Sequence, residues 1–394
     1  MQIYLDYSAT TPTRNEVISL VQTTLAQQWG NPSSLHEWGQ RAATVIEVAR
    51  SQVANLINAS PESIIFTSGG TEADNTAIMG VARLYSQPQH LIISSVEHSA
   101  ISEPARMLEL CGWQVTRLGV DAKGQVNPQD LANAIQENTA LISIIYGQSE
   151  VGTLQPISEL GKIARQHNVL FHTDAVQVAG RLPIDVETLS VDLLSLSSHK
   201  TYGLQGAGAL YVHPGVELVP LLLGGGQEMR SSLTGVNTPS RSGTQAVAII
   251  AGFGKAAELA MEEMATETPR LIKLRDRLFS HLIDIPGLIP TGDLCQRLPH
   301  HVSFCLVNAD GESINGRNIV RQMNLAGIGI SAGSACSSGK LNPSPILLAM
   351  GYSDQAAMAG VRMTLGRDTT EADIDWTAIV FQQVLERLRK QITN

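Results

Sequence analysis

Lys200 closes the stretch SLSSHK (195–200), where an apolar run gives way to hydroxyls, an imidazole and an amine. On an open surface such a lysine is a solvated charge. At the end of a buried strand, loss of hydration lowers the pKa of the ammonium group and makes the amine nucleophilic. Imine chemistry with a carbonyl compound needs such an amine. Three more stretches have the same layout. HTDAVQ (172–177) puts Asp174 after the run VLF, with Gln177 three residues on. That carboxylate suits a helix cap or a ring-nitrogen cation equally well. SGGTEADN (68–75) is a glycine turn opening a helical pattern, either a tight turn or amides for a phosphate. EHSA (97–100) sets His98 behind LIISSV, and alone it is an ordinary histidine.

Taken together the four are less ambiguous. A phosphate cradle, a carboxylate for a pyridinium nitrogen, an imine-forming lysine and a stacking imidazole are what pyridoxal 5'-phosphate requires. A fifth group stands apart. Cys336 lies in ISAGSACSSGK (330–340) among Ser, Ala and Gly, with nothing bulky to cover it. A structural cysteine is normally buried among larger apolar side chains and inert.

The elements that must position these groups are legible as apolar runs. SIIF (63–66), HLIISSV (90–96), ALISIIY (140–146), NVLFHTD (168–174), VDLLSLSS (191–198) and GALYV (208–212) are of strand length. Helical patterns alternate with them, such as ISELGKIARQH (157–167), with Ile157, Leu160, Ile163 and Ala164 on one face. Short continuous apolar strands alternating with helices predict an α/β fold with a mostly parallel sheet covered on both faces. Ligands of such sheets bind beyond the strands' C-terminal ends, where these residues fall. After about Gly254 a long amphipathic stretch containing Pro269 reads as a helix pair or one bent helix. HHVSFCLV (300–307) reads as a strand, and residues 370–392 as a terminal helix capped by Thr370. The texture predicts a second, smaller α+β domain.

Composition narrows the function classes. The 394 residues carry a net charge of −9, which argues against a nucleic-acid backbone binder. No apolar run reaches the roughly 18 residues of a membrane span, and MQIYLDYSATTP lacks a signal-peptide pattern, so a cytoplasmic protein is expected. Cys111, Cys295, Cys305 and Cys336 include no C-x-x-C pair, so neither zinc nor a disulfide framework is indicated. The first three read as structural.

These motifs resemble those of cysteine desulfurases of the NifS/IscS type, in the class V branch of the fold-type I pyridoxal-phosphate enzymes. The likeness runs through LDYSATTP (5–12), GNPSS (30–34), SGGTEADN, EHSA, DAVQ, SSHKTYG (197–203), RSGT (241–244), GSACSSG (333–339) and VRMTLGR (361–367). It spans nearly the whole chain. The resemblance implies a large cofactor domain over residues 15–258 built on a seven-stranded-type sheet. It implies a small domain of 1–14 and 259–394 carrying the Cys336 loop. Lys200 would hold the cofactor and later take the substrate's Cα proton, Asp174 would hold the ring nitrogen, and Gln177 would reach the ring's phenolic oxygen. His98 would stack on the ring and shuttle a proton to or from the thiol. Gly70, Thr71, Ser197 and His199 would bind the phosphate, with Thr244 reaching it across a homodimer interface. Arg362, with Asn31 beside it, would grip the substrate carboxylate. Cys336 would take sulfur from L-cysteine as a persulfide, releasing alanine, for an acceptor such as an iron–sulfur scaffold.

Two departures from the family pattern stand out. Gln148, Ser149 and Glu150 replace the usual Asn-Asn-Glu, so Ser149 stands where an amide would meet ring oxygen and substrate. The segment between GGG (224–226) and RSGT is longer than usual and reads as an extended loop near the active-site mouth. The rival readings are a β-eliminating lyase acting on cystine or cysteine, a selenocysteine lyase, and a non-catalytic sulfur-trafficking protein.

Overall fold

The computed structural model describes residues 2–231, 237–307, 314–333 and 342–392. Seven strands form the main sheet: β1 (Ile64–Thr67), β2 (His90–Ser94), β3 (Gln114–Leu118), β4 (Thr139–Ser143), β5 (Leu170–Asp174), β6 (Leu193–Ser197) and β7 (Gly208–Val212). Their order is β1-β7-β6-β5-β4-β2-β3. Pairing is parallel from β6 through β5, β4 and β2 to β3. β7 is antiparallel to both β6 and β1, so β1 runs with the other five. The mostly parallel sheet is thus present, with GALYV as the reversed strand.

Five of these strands, β1, β2, β4, β6 and β7, are buried at every position, as both-face coverage demands. The edge strand β3 is the exception: QVTRL buries only Leu118. It has no continuous apolar run, which is why sequence reading passes over it. Helices cover the faces, among them α1 (Gly70–Ala82), α2 (Ser99–Leu110) and α3 (Ile157–Gln166). In α3 the buried face is Ile157, Leu160, Gly161 and Ala164, close to the expected stripe, with Ile163 at its rim.

The stretch after Gly254 belongs to one helix, α4 (Val247–Leu282), with Pro269 inside it. Its 36 residues extend about 54 Å at 1.5 Å each. Ile250, Phe253 and Ala257 enter the core beneath the main sheet. Leu271, Leu274, Leu278 and Phe279 enter a second core. There β8 (Leu288–Pro290), β9 (His301–Leu306), β10 (Ser331–Ala332) and β11 (Gly360–Thr364) form an antiparallel sheet ordered β8-β9-β11-β10. The terminal helix α5 (Glu371–Ile392) starts as expected, with Thr370 Oγ1 accepting from the Asp373 amide at 3.2 Å. Ile3 and Leu5 also pack into this second core, and the strand Ile3–Tyr4 pairs in parallel with Ile328–Gly329. Each fully buried Leu, Ile or Phe side chain contributes about 1.5–3 kcal/mol relative to exposure. No described helix is long and apolar enough to cross a membrane.

Candidate active site

The C-terminal ends of the parallel strands open onto one cavity of about 370 Å³. β1 leads into Gly70 and Thr71 at the start of α1. β2 leads to His98, β4 to Ser149, β5 to Asp174 and Gln177, and β6 to Ser197, His199 and Lys200. All of these line the cavity, and Arg362 of β11 closes it from the second sheet. Ten of the thirteen residues singled out in the sequence therefore converge.

The amine of Lys200 is held by a segment distant in sequence. Nζ donates to the carbonyls of Ser8 at 2.6 Å and Ala9 at 2.7 Å. Gln177 Nε2 donates to the same Ser8 carbonyl at 3.0 Å. Ser8 is tied down in turn: its amide donates to Thr364 Oγ1 at 2.9 Å, and its hydroxyl is hydrogen-bonded to His300 Nε2 at 3.1 Å. Farther along, the amide and hydroxyl of Thr11 both donate to the His199 carbonyl. Burial beside Lys200 pushes the His199 imidazole down to about 4, so its ring is neutral.

Beneath the cavity lies a group of buried acids. Asp174 Oδ1 accepts from the Val176 amide at 2.9 Å, so the helix-cap role is filled as well. Burial raises its carboxyl above the ordinary range, against the pull of His98 and Lys200. Asp74, from α1, is 1% exposed, and burial together with Asp174 raises its carboxyl well above the usual value. One ligand atom each from Asp74, His98 and Asp174 lies within 4.8 Å of the others. His172 supports the group from β5, hydrogen-bonded to Ser143 Oγ at 2.8 Å and Ser195 Oγ at 3.0 Å. Burial lowers this imidazole to about 3. Glu97, next to His98, accepts from the Ser94 amide and hydroxyl and from the Ile145 amide. It therefore links the ends of β2 and β4.

On the opposite wall Arg362 Nη1 donates to the Ser149 carbonyl at 3.0 Å and Nη2 to Asp6 Oδ1 at 2.6 Å. The Ser149 backbone, rather than its side chain, holds the guanidinium. His98 Nδ1 accepts from the Ala100 amide at 3.1 Å, which leaves Nε2 as the nitrogen that carries the proton in the neutral ring.

Asn31 and Thr244 do not line this cavity in the single chain. Both are exposed, and Asn31 Oδ1 accepts from the Ser33 amide at 3.0 Å. Their neighbours Pro32 and Gln245 line a separate concavity of about 490 Å³. Cys336 lies outside the described residues, as do positions 232–236 of the long segment before RSGT. The ends of that segment pair as an antiparallel hairpin, Glu228–Ser231 with Asn237–Arg241. Of the cysteines read as structural, only Cys305 is buried; Cys111 and Cys295 are exposed. Sequence reading missed Asp6, Ser8, Asp74, Glu97, His300 and His301. Only LDYSATTP and the EHSA and SGGTEADN motifs, which contain the first four, offered a signal.

The residues fit pyridoxal phosphate. A Cβ on Gly70 would come within 2.9 Å of Val176 Cγ2 and 3.5 Å of Ser197 Cβ, so a glycine keeps this corner open. Free amides at the head of α1, a helix of 13 residues, suit a phosphate. Gln177 Oε1 and Asp74 Oδ1 are buried with no hydrogen-bond partner among the described residues. Such orphaned polar atoms are costly unless a ligand or water completes them.

The aminotransferase class-V family model matches residues 3–376. A protein named cysteine desulfurase IscS from Dictyoglomus turgidum is 44% identical over 390 residues, covering 98% of this chain and 95% of its own. One of the same name from Methanosarcina thermophila is 42% identical, covering 98% and 93%. A solved structure described as a NifS-like protein superposes with a TM-score of 0.89 at 33% identity, over 98% of this chain and all of its own. Another, described as SspA in complex with cysteine, has a TM-score of 0.79 at 34% identity, covering 93% and 99%.

Proposed function

The chain belongs to the class-V aminotransferase family and is a pyridoxal-phosphate enzyme of the cysteine desulfurase type, and from that premise we propose how its residues divide the work. The substrate is L-cysteine and the products are L-alanine and a persulfide on Cys336. The convergence of Lys200, Asp174, His98 and Arg362 on one cavity carries this reading. Bound pyridoxal phosphate supplies an electron sink for the electron pair left on Cα. Gly70, Thr71, Ser197 and His199 hold its phosphate, Asp174 its ring nitrogen and Gln177 its phenolic oxygen.

Arg362 turns its fork to the substrate carboxylate. Lys200 Nζ takes the Cα proton, and the carbonyls of Ser8 and Ala9 keep that amine aimed into the site. His98 moves a proton to or from the thiol through Nε2. The Cys336 thiolate attacks the substrate's sulfur; the C–S bond breaks, an S–S bond forms, and Cβ gains a proton to give alanine. The enzyme works as a cytoplasmic homodimer, with Thr244 reaching the partner's phosphate site, and hands the sulfur to an acceptor such as an iron–sulfur scaffold.

The test is the product formed from L-cysteine, with a reductant as acceptor, by the wild type and by Cys336→Ala. Alanine from the wild type and at least a hundredfold less from the variant is the expected result. Equal turnover by both, or pyruvate in place of alanine, would replace this reading with a β-lyase.

A further inference from the structure

We propose that His301 is a positioning residue for the substrate carboxylate, acting through the Ser149 carbonyl that it shares with Arg362. His301 Nε2 lies 3.1 Å from that oxygen, and Arg362 Nη1 approaches the same oxygen at 3.0 Å. A carbonyl only accepts, so Nε2 must carry the ring's proton and donate it. The ring is fully buried among the guanidinium groups of Arg297, Arg362 and Arg181, and both burial and that charge hold it neutral. The tautomer is therefore fixed by the contact.

Strand register explains how the two donors meet. His301 faces Thr364 and Ser303 faces Arg362 across β9 and β11. Residues two apart share a face of a strand, so His301 and Arg362 are diagonal neighbours on one face. The turn that presents Ser149 is also shaped around this ring. Gly152 has φ +79° to +80°, and a Cβ there would come within 2.6 Å of His301 Nδ1. The imidazole thus fills the space under the turn and anchors its carbonyl from below.

This matters because Ser149 has no amide with which to hold substrate or ring. In this chain the orientation of the Arg362 fork depends on two acceptors, Asp6 Oδ1 and the Ser149 carbonyl. His301 occupies the second lone pair of that carbonyl and fixes where it points. Loss of the donor lets the turn rotate and the fork drift, which weakens carboxylate binding while leaving the amine end of the site alone.

The inference rests on the cysteine desulfurase reading, so its test separates the two. The holoenzyme is titrated with L-alanine and with ethylamine, the same molecule without its carboxylate, and binding is followed through the visible absorption of the bound cofactor. His301→Ala should weaken L-alanine binding about tenfold and ethylamine binding less than twofold. His301→Gln, which keeps a donor near Nε2, should recover most of the alanine affinity and serves if the alanine variant fails to fold. Equal weakening for both ligands, or none for either, in the variant that folds overturns the role. A wild type whose spectrum responds to neither ligand overturns the desulfurase reading and this inference with it.

Discussion

Arg362 spends both ends of its guanidinium on its own chain, one on Asp6 and one on the Ser149 carbonyl, in a site where it is 6% exposed. A planar fork held in this way is ready for a second planar anion, whereas a lysine offers one point charge and no fixed plane. Arg362→Lys should therefore raise KM for L-cysteine by ten- to a hundredfold, about 1.4–2.8 kcal/mol, with a smaller loss in kcat. Steady-state kinetics decide it, and a fall in kcat with KM unchanged would remove Arg362 from substrate binding. The same residue shows what sequence can reveal. Arg362, Lys200 and Asp174 were legible because each sits in or just beyond an apolar strand, where a charge has no business without a partner. Ser8 and His301 were not. Ser8 reaches Lys200 across 192 positions, and His301 reaches Ser149 across 152, so only the folded chain brings them together.

At the scale of elements the apolar runs named every strand of the main sheet except β3, whose outer position lets it be half polar. What they could not name is how neighbouring strand ends are tied. Glu97 does this for β2 and β4 through Ser94 and Ile145, and its Oε2 is buried with no partner among the described residues. Burial pushes this carboxyl from 4.5 up to about 8. Between those values the folded chain keeps a proton that the unfolded chain has released, so stability falls as pH rises across the window. Below about 4.5 both states are protonated and the loss vanishes. Glu97→Gln cannot ionise and escapes it. The melting temperature of the wild type should therefore drop relative to the variant from about pH 5 to pH 8, and the two should converge in acid. A difference that stays flat with pH would mean that Glu97 is ionised in the fold.

The whole molecule is organised by α4, which is buried in the first core at Phe253 and Ala257 and in the second at Leu274 and Leu278. The cavity sits where the two cores meet: Lys200 and Asp174 come from the first sheet, Arg362 from the second, and Ser8 from the segment that packs beside it. Chemistry at such a junction needs the two sheets fixed to within fractions of an ångström. One continuous helix shared by both cores supplies that fixity, because neither end can unwind without withdrawing side chains from its core. Leu278 is fully buried in the second core. Leu278→Ala should cost about 2–5 kcal/mol through lost burial and the cavity left behind. If α4 makes the two cores one cooperative unit, amide-exchange protection should fall by the same free energy in β5 and β6 as in β9 and β11. Loss confined to β9 and β11 would mean that the cores open separately, and the geometry of the site would then depend on the Arg362, Ser149 and Ser8 contacts alone.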